Sequence, residues 1–183
     1  WGVEAEESWP HLLSDSINVP VINGGVPGWS THQAEQRLAQ WPESLKSPSA
    51  VILAYWVRDA QLAPQADVNA QPTPWPFRLQ LGRLVAGALR GQKTVQAVTE
   101  RVSLSDYADN LRDLKRHFPN QTIYGLFFPQ QDPKPDYELA LAEQSTLLEI
   151  PNFSADLFFD ADPIHLTADG HQTLADALSN QLR

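Results

Sequence analysis

Short apolar runs alternate with amphipathic stretches along this chain. Residues 19–23, 49–57 and 121–128 are apolar and rich in β-branched and aromatic side chains, a pattern that predicts buried strands. The stretches between them repeat apolar residues at helical spacing and begin at capping serines or threonines. They predict helices that start at Ser8, at Ser30 or Thr31 and at Ser103 or Ser105, helices over 77–89 and 136–148, and a last helix capped by Thr167.

This alternation of strands and helices predicts βαβ units, and therefore a parallel sheet with helices on both faces. We expect an α/β fold in one domain, a three-layer αβα sandwich with about five strands, because a chain of 183 residues suits one hydrophobic core. Residues 61–76 are rich in Pro, Gln and Ala. We interpret them as a long irregular loop that could cover a site, and not as a linker between domains.

The composition narrows the classes of function. The chain has 13 Lys and Arg residues against 22 Asp and Glu residues, a net charge of −9. Because phosphate contacts dominate nucleic-acid affinity, we do not expect an acidic chain without a basic stripe to bind nucleic acid. Cysteine is absent, which excludes disulfides, thiolate metal sites and a cysteine nucleophile. The apolar runs are too short for a membrane span and no targeting segment is visible, so compartment and oligomeric state stay open.

Candidate catalytic residues lie near the end of the chain, in residues 160–171 (Asp-Ala-Asp-Pro-Ile-His-Leu-Thr-Ala-Asp-Gly-His). Asp162 and His165 are three positions apart, and the proline between them disfavours a helix. In a tight loop, the carboxylate can accept from one imidazole nitrogen while the other nitrogen faces outward, as a serine hydrolase requires. The alternatives are an Asp-Pro turn with a solvated His165, or a metal site that adds Asp160 and His171. Taken alone, His171 is expected to be solvated or to cap a helix.

Other polar and glycine-rich segments follow the predicted strands. The first strand ends at residues 23–28 (Asn-Gly-Gly-Val-Pro-Gly) and the second at Arg58 and Asp59. Asp162 and His165 follow a last short strand, which we expect within residues 150–159. In open parallel sheets, functional groups collect at the carboxyl ends of the strands. We therefore expect these segments to contribute to one site.

Several of these segments, in this order, resemble the SGNH (GDSL-type) hydrolase family. Residues 23–28 resemble its second block, a glycine turn after a strand, and Asp162-Pro-Ile-His165 resembles its last block, DxxH. Residues 1–10 resemble the stretch after the serine-bearing first block, and residues 103–114 resemble a helix between blocks. The similarity covers most of the chain outside residues 60–100.

The resemblance implies a serine hydrolase mechanism that acts on a carboxylic ester. A serine attacks the carbonyl, His165 takes its proton as the general base, and Asp162 orients the histidine. Gly25 would offer its amide to the oxyanion, because a glycine lets the backbone approach the substrate closely. The family's chemistry uses neither a metal nor an organic cofactor. The expected partner is a small-molecule or glycan-borne ester.

The chain departs from the family pattern in two places. No G-D-S motif is present, so the resemblance places the nucleophile a few residues before Trp1, on a strand that the chain also lacks. Methionine is absent even at position 1, which favours a processed form or a piece of a longer protein. The competing interpretation is a degenerate, inactive relative.

The second departure is the third block. Asp59 aligns with the aspartate of G-x-N-D, which puts Trp56 at the glycine and Arg58 at the asparagine. Arg58 could face an oxyanion, or pair with Asp59 or with a substrate carboxylate. Trp56 fills space where substrate would lie, and Trp29 and Trp56 are the candidate substrate-binding aromatics.

Three functions therefore remain open. The first is an esterase with an acyl-serine intermediate, the second a non-catalytic glycan- or acyl-binding domain, and the third an O-acyltransferase whose cleft excludes water. Ser30 follows Gly28-Trp29, half of a G-x-S-x-G elbow, but the closing glycine is missing and Ser30 suits a helix cap better than a nucleophile.

Overall fold

A computed structural model describes residues 2–38, 40–45, 47–54, 59–63, 66–69, 99–128, 134–160 and 162–183. At positions 44, 68, 162 and 163 it describes the backbone alone. The predicted helix over 77–89, and Trp56 and Arg58, lie outside the described residues. Of the loop predicted over 61–76, the described part contains a two-residue strand and a short 3-10 turn over Asp67–Asn69.

Within the described residues, five helices form where apolar spacing and capping residues predicted them. Ser8 is the N-cap of the first, and Ser103 and Thr167 cap two others by accepting from the backbone N–H of Asp106 and Gly170, respectively. Among these helices, none combines the length and apolar character that crossing a bilayer requires. The helices are α1 (Trp9–Ile17), α2 (Thr31–Leu38), α3 (Leu104–His117), α4 (Pro135–Gln144) and α5 (Ala168–Leu182).

The central sheet is parallel and has three strands within the described residues. Its order is β1 (Ala50–Leu53), β4 (Thr122–Gly125) and β5 (Thr146–Leu147), with β4 in the middle. Two small antiparallel pairs accompany it: β2 (Leu62–Ala63) with β3 (Thr99–Glu100), and β6 (Phe158–Phe159) with β7 (Asp162–Leu166). The predicted parallel sheet is thus confirmed for three strands, and the expected count of about five is not.

Alternation along β1 and β4 sends side chains to the two faces of the sheet. Leu53 and Ile123 pack in one apolar cluster with α2, α3 and α4, whereas Ile52 and Tyr124 pack against a second cluster built from α1 and α5. Helices therefore cover both faces, as the three-layer prediction required. The second cluster contains the helix that follows Asp162 and His165.

The strand predicted over residues 19–23 is wrong: this segment begins with a bend and pairs with no described strand. Two of its backbone groups form hydrogen bonds with a side chain of α1 instead. Ser14 Oγ donates to the Val19 carbonyl at 3.0 Å and accepts from the Val21 N–H at 3.3 Å. Val19 and Ile22 stay 49% and 62% exposed, so an apolar run alone did not establish burial in the sheet.

The helix predicted over 136–148 ends early, at Gln144. Ser145 leaves the helix with an extended backbone, and its hydroxyl donates to the Leu141 carbonyl at 2.6 Å, which ends the helical turn. Thr146 and Leu147 then pair in parallel with β4. Helical spacing continued past the end of the helix here, and the β-branched Thr146 marks the change to strand.

Candidate functional site

The glycine turn before α2 has two positions that only glycine fills easily. Gly28 has a φ of 82°, and with Pro27 before it the turn has the residue pattern of a type II turn. A Cβ on Gly24 would lie 2.6 Å from the indole of Trp41, so that ring packs directly on the turn. The glycines and the packed Trp41 ring therefore restrict the shape of residues 24–28.

Gly25 is exposed, but its amide is already engaged. The Gly25 N–H donates to Asn23 Oδ1 at 3.1 Å, an Asx-type contact that turns the backbone back on itself. A substrate oxygen at this amide would have to take the place of the Asn23 side chain. The oxyanion role predicted for Gly25 stays a prediction.

A buried polar network holds the start of α2, immediately after this turn. Thr31 and Asp59 are both fully buried. Asp59 Oδ1 accepts from the Thr31 N–H at 2.9 Å and from Thr31 Oγ1 at 2.5 Å, and Asn110 Nδ2 donates to the same hydroxyl at 3.0 Å. Three elements distant in sequence thus meet at the first residue of the helix.

A second carboxylate, Asp67, holds the residue before. Ser30 is fully buried, and its hydroxyl donates to Asp67 Oδ2 at 2.6 Å, while its N–H donates to Gln33 Oε1 at 3.1 Å. Ser30 thus lies directly before the first residue of α2, and its hydroxyl is engaged by Asp67. Because its hydroxyl is buried and bonded to a carboxylate, it is not placed as a nucleophile.

Arg101 joins this carboxylate to the turn itself. Its guanidinium contacts Asp67 at 2.8 Å and donates from Nη1 to the Gly28 carbonyl at 3.0 Å. The Arg101 and Asp67 side chains are 17% and 14% exposed, so the pair is largely shielded from water. We use the term turn network for six residues: Ser30, Thr31, Asp59, Asp67, Arg101 and Asn110.

Burial dominates the electrostatics of Asp59. It raises the pKa of this carboxyl from 3.8 to about 6, against the opposing hydrogen bonds from Thr31 and the charge of Arg101. Asp59 Oδ2 and the Tyr107 hydroxyl are buried and have no hydrogen-bond partner among the described residues. Burial, and then the nearby Asp59, raise the pKa of Tyr107.

A cavity of about 40 Å³ lies beside the turn network, lined by His32, Arg101, Val102, Asp106 and Asn110. This space suits one or two water molecules and is too small for an ester substrate.

The second half of the predicted site lies on β7, in a strand and not in the expected loop. Phe158 pairs with Leu166 and Phe159 with Asp162, so β7 bulges between its two paired residues. His165 lies in this bulge and is half-buried, and its neighbour Ile164 is 47% exposed. The side chain of Asp162 is outside the described part, and the predicted Asp162–His165 hydrogen bond stays a prediction.

His171 caps a helix, which was one of its two predicted roles. Its Nδ1 accepts from the Trp9 N–H at 3.2 Å, at the start of α1, and burial lowers its pKa. The predicted metal alternative finds no support in geometry, since no group of three acidic or imidazole side chains in the described ranges could hold an ion. Asp160 is exposed.

Comparison with solved structures identifies the fold. The chain superposes on a protein from Desulfitobacterium hafniense DCB-2, described as lipolytic and of the G-D-S-L family, with a TM-score of 0.61 over 98% of this chain and 91% of that one. This chain has the fold of a G-D-S-L family protein. The resemblance seen in sequence is thereby confirmed at the level of the fold, although the two sequences are only 11% identical.

A second similar structure is the family 3 carbohydrate esterase of Clostridium thermocellum. It has a TM-score of 0.49 and 13% identity, with 84% of this chain and 64% of that chain covered. No protein-family model and no curated protein sequence matches the chain. The fold is therefore known from structure, and the activity must be argued from the site.

Most of the turn network carries no signal in the sequence. Asp59 was identified through its place in the third block, but Asp67 lay inside the Pro-rich loop and Asn110 on an ordinary amphipathic helix. Their contacts join residues 37 and 79 positions apart, and no local pattern carries such a signal.

Proposed function

We propose that this chain is the core of an SGNH-type serine esterase that hydrolyses a carboxylic ester through an acyl-serine intermediate. The observation that carries the proposal is a G-D-S-L fold that holds two motif-like segments in the family's order: the glycine turn precedes α2, and Asp162-Pro-Ile-His165 precedes α5. At 11% identity this likeness supports the fold, and the chemistry rests on the motifs.

The proposed mechanism assigns each step to a residue. His165 takes the proton of the serine hydroxyl as the serine oxygen bonds to the ester carbonyl carbon, and then gives that proton to the departing alcohol. Water then attacks the acyl-serine with the same histidine as base, releasing the carboxylic acid and regenerating the serine. Asp162 holds the imidazole in the required tautomer and stabilises its positive charge.

The nucleophile belongs to a segment upstream of Trp1 in this proposal. The chain contains no G-D-S motif, and Ser30, the serine beside the glycine turn, is buried and bonded to Asp67. The Gly25 amide and the upstream serine's own amide would face the oxyanion, with Arg58 at the position of the family asparagine. Trp29 and Trp56 would border the substrate, which we propose is a small-molecule or glycan-borne ester.

The test uses the full-length protein and a short acyl ester such as p-nitrophenyl acetate. His165→Ala should lower kcat/KM by about 1,000-fold or more, because the serine loses its general base. His117→Ala is the matched control, since His117 is an exposed histidine on α3. Undiminished hydrolysis by the His165 variant would contradict the proposal.

A second candidate function is a non-catalytic domain that binds a glycan or an acyl group in the same cleft. The observation that favours it is the Gly25 amide, which is occupied by Asn23 in place of an open donor. A fluorophosphonate probe on the full-length protein separates the two functions. Labelling of a serine upstream of Trp1 supports the esterase, and absence of labelling together with glycan binding supports the binding domain.

A further inference from the structure

Asp59 has no step in the proposed mechanism, yet it is the most deeply placed charge in the turn network. It lies in the segment that follows β1, and its side chain reaches across to α2, 28 positions earlier in the chain. Both groups that donate to Asp59 Oδ1 belong to Thr31, the first residue of α2. The carboxylate therefore connects the segment after β1 to the helix that begins where the glycine turn ends.

Asp59 is itself held in a rigid frame. Its carbonyl accepts from the Val102 N–H at 3.0 Å, and the Val102 carbonyl accepts from the Tyr137 hydroxyl at 2.8 Å. Val102 and Tyr137 are both buried, with 3% of each residue exposed. The backbone of Asp59 is thus fixed to the start of α3 and to α4, and a side chain on this frame can fix a second element.

The position is an expensive one for a carboxylate. Asp59 is fully buried, its Oδ2 has no hydrogen-bond partner among the described residues, and its neighbours include the buried Tyr107. A charged group kept in such surroundings is poorly explained by stability, because apolar side chains of similar volume often pack as well or better. Buried polar groups can instead select one conformation among several. This suggests that Asp59 fixes the relative position of the elements that it connects.

We propose that Asp59 is a positioning residue that holds the glycine turn, and with it the Gly25 amide, in one place relative to the sheet. It acts through Thr31 and does not touch substrate. This inference rests on the proposed function only for the role of the Gly25 amide, since the contact between Asp59 and Thr31 exists whatever the cleft binds. Displacing an oxyanion donor by a fraction of an ångström weakens a bond that forms fully only in the transition state.

The second carboxylate makes the proposal testable without unfolding the helix. Asp67 still holds Ser30, and Arg101 still holds the Gly28 carbonyl, when Asp59 is replaced. We therefore expect α2 to form in Asp59→Leu, with Thr31 released from the segment after β1 and the glycine turn held only by Asp67 and Arg101, so that it can shift by a fraction of an ångström. Thr31→Val is a milder variant, which removes the hydroxyl and keeps the N–H bond to Asp59.

The experiment measures kinetics and amide exchange on the full-length protein. With p-nitrophenyl acetate, Asp59→Leu should lower kcat by roughly 10- to 100-fold with KM changed less than about twofold, and Asp59→Asn should restore most of the rate because its Oδ1 still accepts from Thr31. The kcat of Thr31→Val should lie between those of the wild type and Asp59→Leu. Asp109→Leu, at an exposed aspartate on α3, is the control and should match the wild type.

Hydrogen exchange of residues 24–31 is the second readout, and it is independent of activity. Exchange in this segment should be at least about 10-fold faster in Asp59→Leu, and faster to a smaller degree in Thr31→Val, while α5 keeps wild-type exchange. Wild-type exchange over 24–31 in both variants would overturn the proposal. So would an unchanged kcat in an active, folded Asp59→Leu protein.

The same two measurements distinguish a failure of the esterase proposal from a failure of the positioning proposal. If the wild-type protein hydrolyses no ester, the esterase proposal fails, and exchange over residues 24–31 then decides the positioning role alone. If Asp59→Leu does not fold, the decision passes to Thr31→Val, where faster exchange supports the role and unchanged exchange overturns it.

Discussion

Different kinds of interaction hold the two halves of the candidate site. At the glycine turn, buried carboxylates, hydroxyls and one guanidinium join elements from distant parts of the chain. Around His165, a short strand pair and a capped helix are formed by residues close in sequence, and the helix packs through Leu174 and Leu178 in an apolar cluster. The first half should therefore respond most strongly to changes in charge, and the second most strongly to changes in packing and capping.

The largest expected effect on stability is a pH dependence that resides in the first half. Burial raises the pKa of Asp59 from 3.8 to about 6, with Arg101, Asp67, Tyr107 and Tyr137 as the surrounding titratable groups. Since the folded-state pKa lies above the unfolded value, this carboxyl's contribution to stability is complete below pH 3.8 and is lost as the pH rises through 6. The full loss is roughly 3 kcal/mol.

Asp59→Asn removes this titration and keeps an acceptor for Thr31. Its stability relative to the wild type should therefore rise between pH 4.5 and 7.5, measured by urea unfolding at both values. His171, whose pKa is lowered by burial, destabilises the fold as the pH falls, but it does so equally in both proteins and cancels in the difference. A difference that stays constant with pH would show that Asp59 does not titrate as its burial implies.

The next effect concerns the ion pair in the same half. Arg101→Met leaves Asp67 shielded from water without its cation and removes the donor to the Gly28 carbonyl. Because both side chains keep some exposure, we expect a loss of roughly 2–3 kcal/mol in unfolding free energy, less than for a fully buried pair. Denaturant unfolding measures it.

Arg112→Met is the matched control for this prediction. Arg112 pairs with Asp109 on the surface of α3, where both side chains are at least half exposed. Its loss should change stability by less than about 0.5 kcal/mol. Equal effects of the two substitutions would remove the distinction between the turn network and an ordinary surface pair.

The smallest effect belongs to the second half. Thr167→Ala removes the side chain that accepts from the Gly170 N–H at the start of α5, and should cost about 1 kcal/mol at every pH from 5 to 8. Thr173→Ala, inside the same helix, should be close to neutral because alanine favours the helix. A marked pH dependence of the Thr167 effect would contradict the proposed difference, because it would show that charge also determines the stability of the second half.

The two halves also differ in how far the sequence predicted them. The helices capped by Ser103 and Thr167 could be predicted because a capping residue and an apolar face are local features of the sequence. The contacts of Asp59 with Thr31 and of Asp67 with Ser30 depend on how distant segments come together, and no local pattern contains that information. The segment 19–23 shows the same limit, since an apolar run says nothing about which strand would pair with it.

The contact between Asn23 and Gly25 has a consequence for selectivity in the proposed esterase. An amide that already has an acceptor gains little by exchanging it for a neutral ester carbonyl, because the two oxygens are similar in strength. An anionic oxygen is a much stronger acceptor and wins the exchange. Asn23 Oδ1 would thus compete with the substrate for the Gly25 N–H. The amide would bind the anionic oxygen of the transition state, and it would bind the neutral carbonyl of the unreacted ester only weakly.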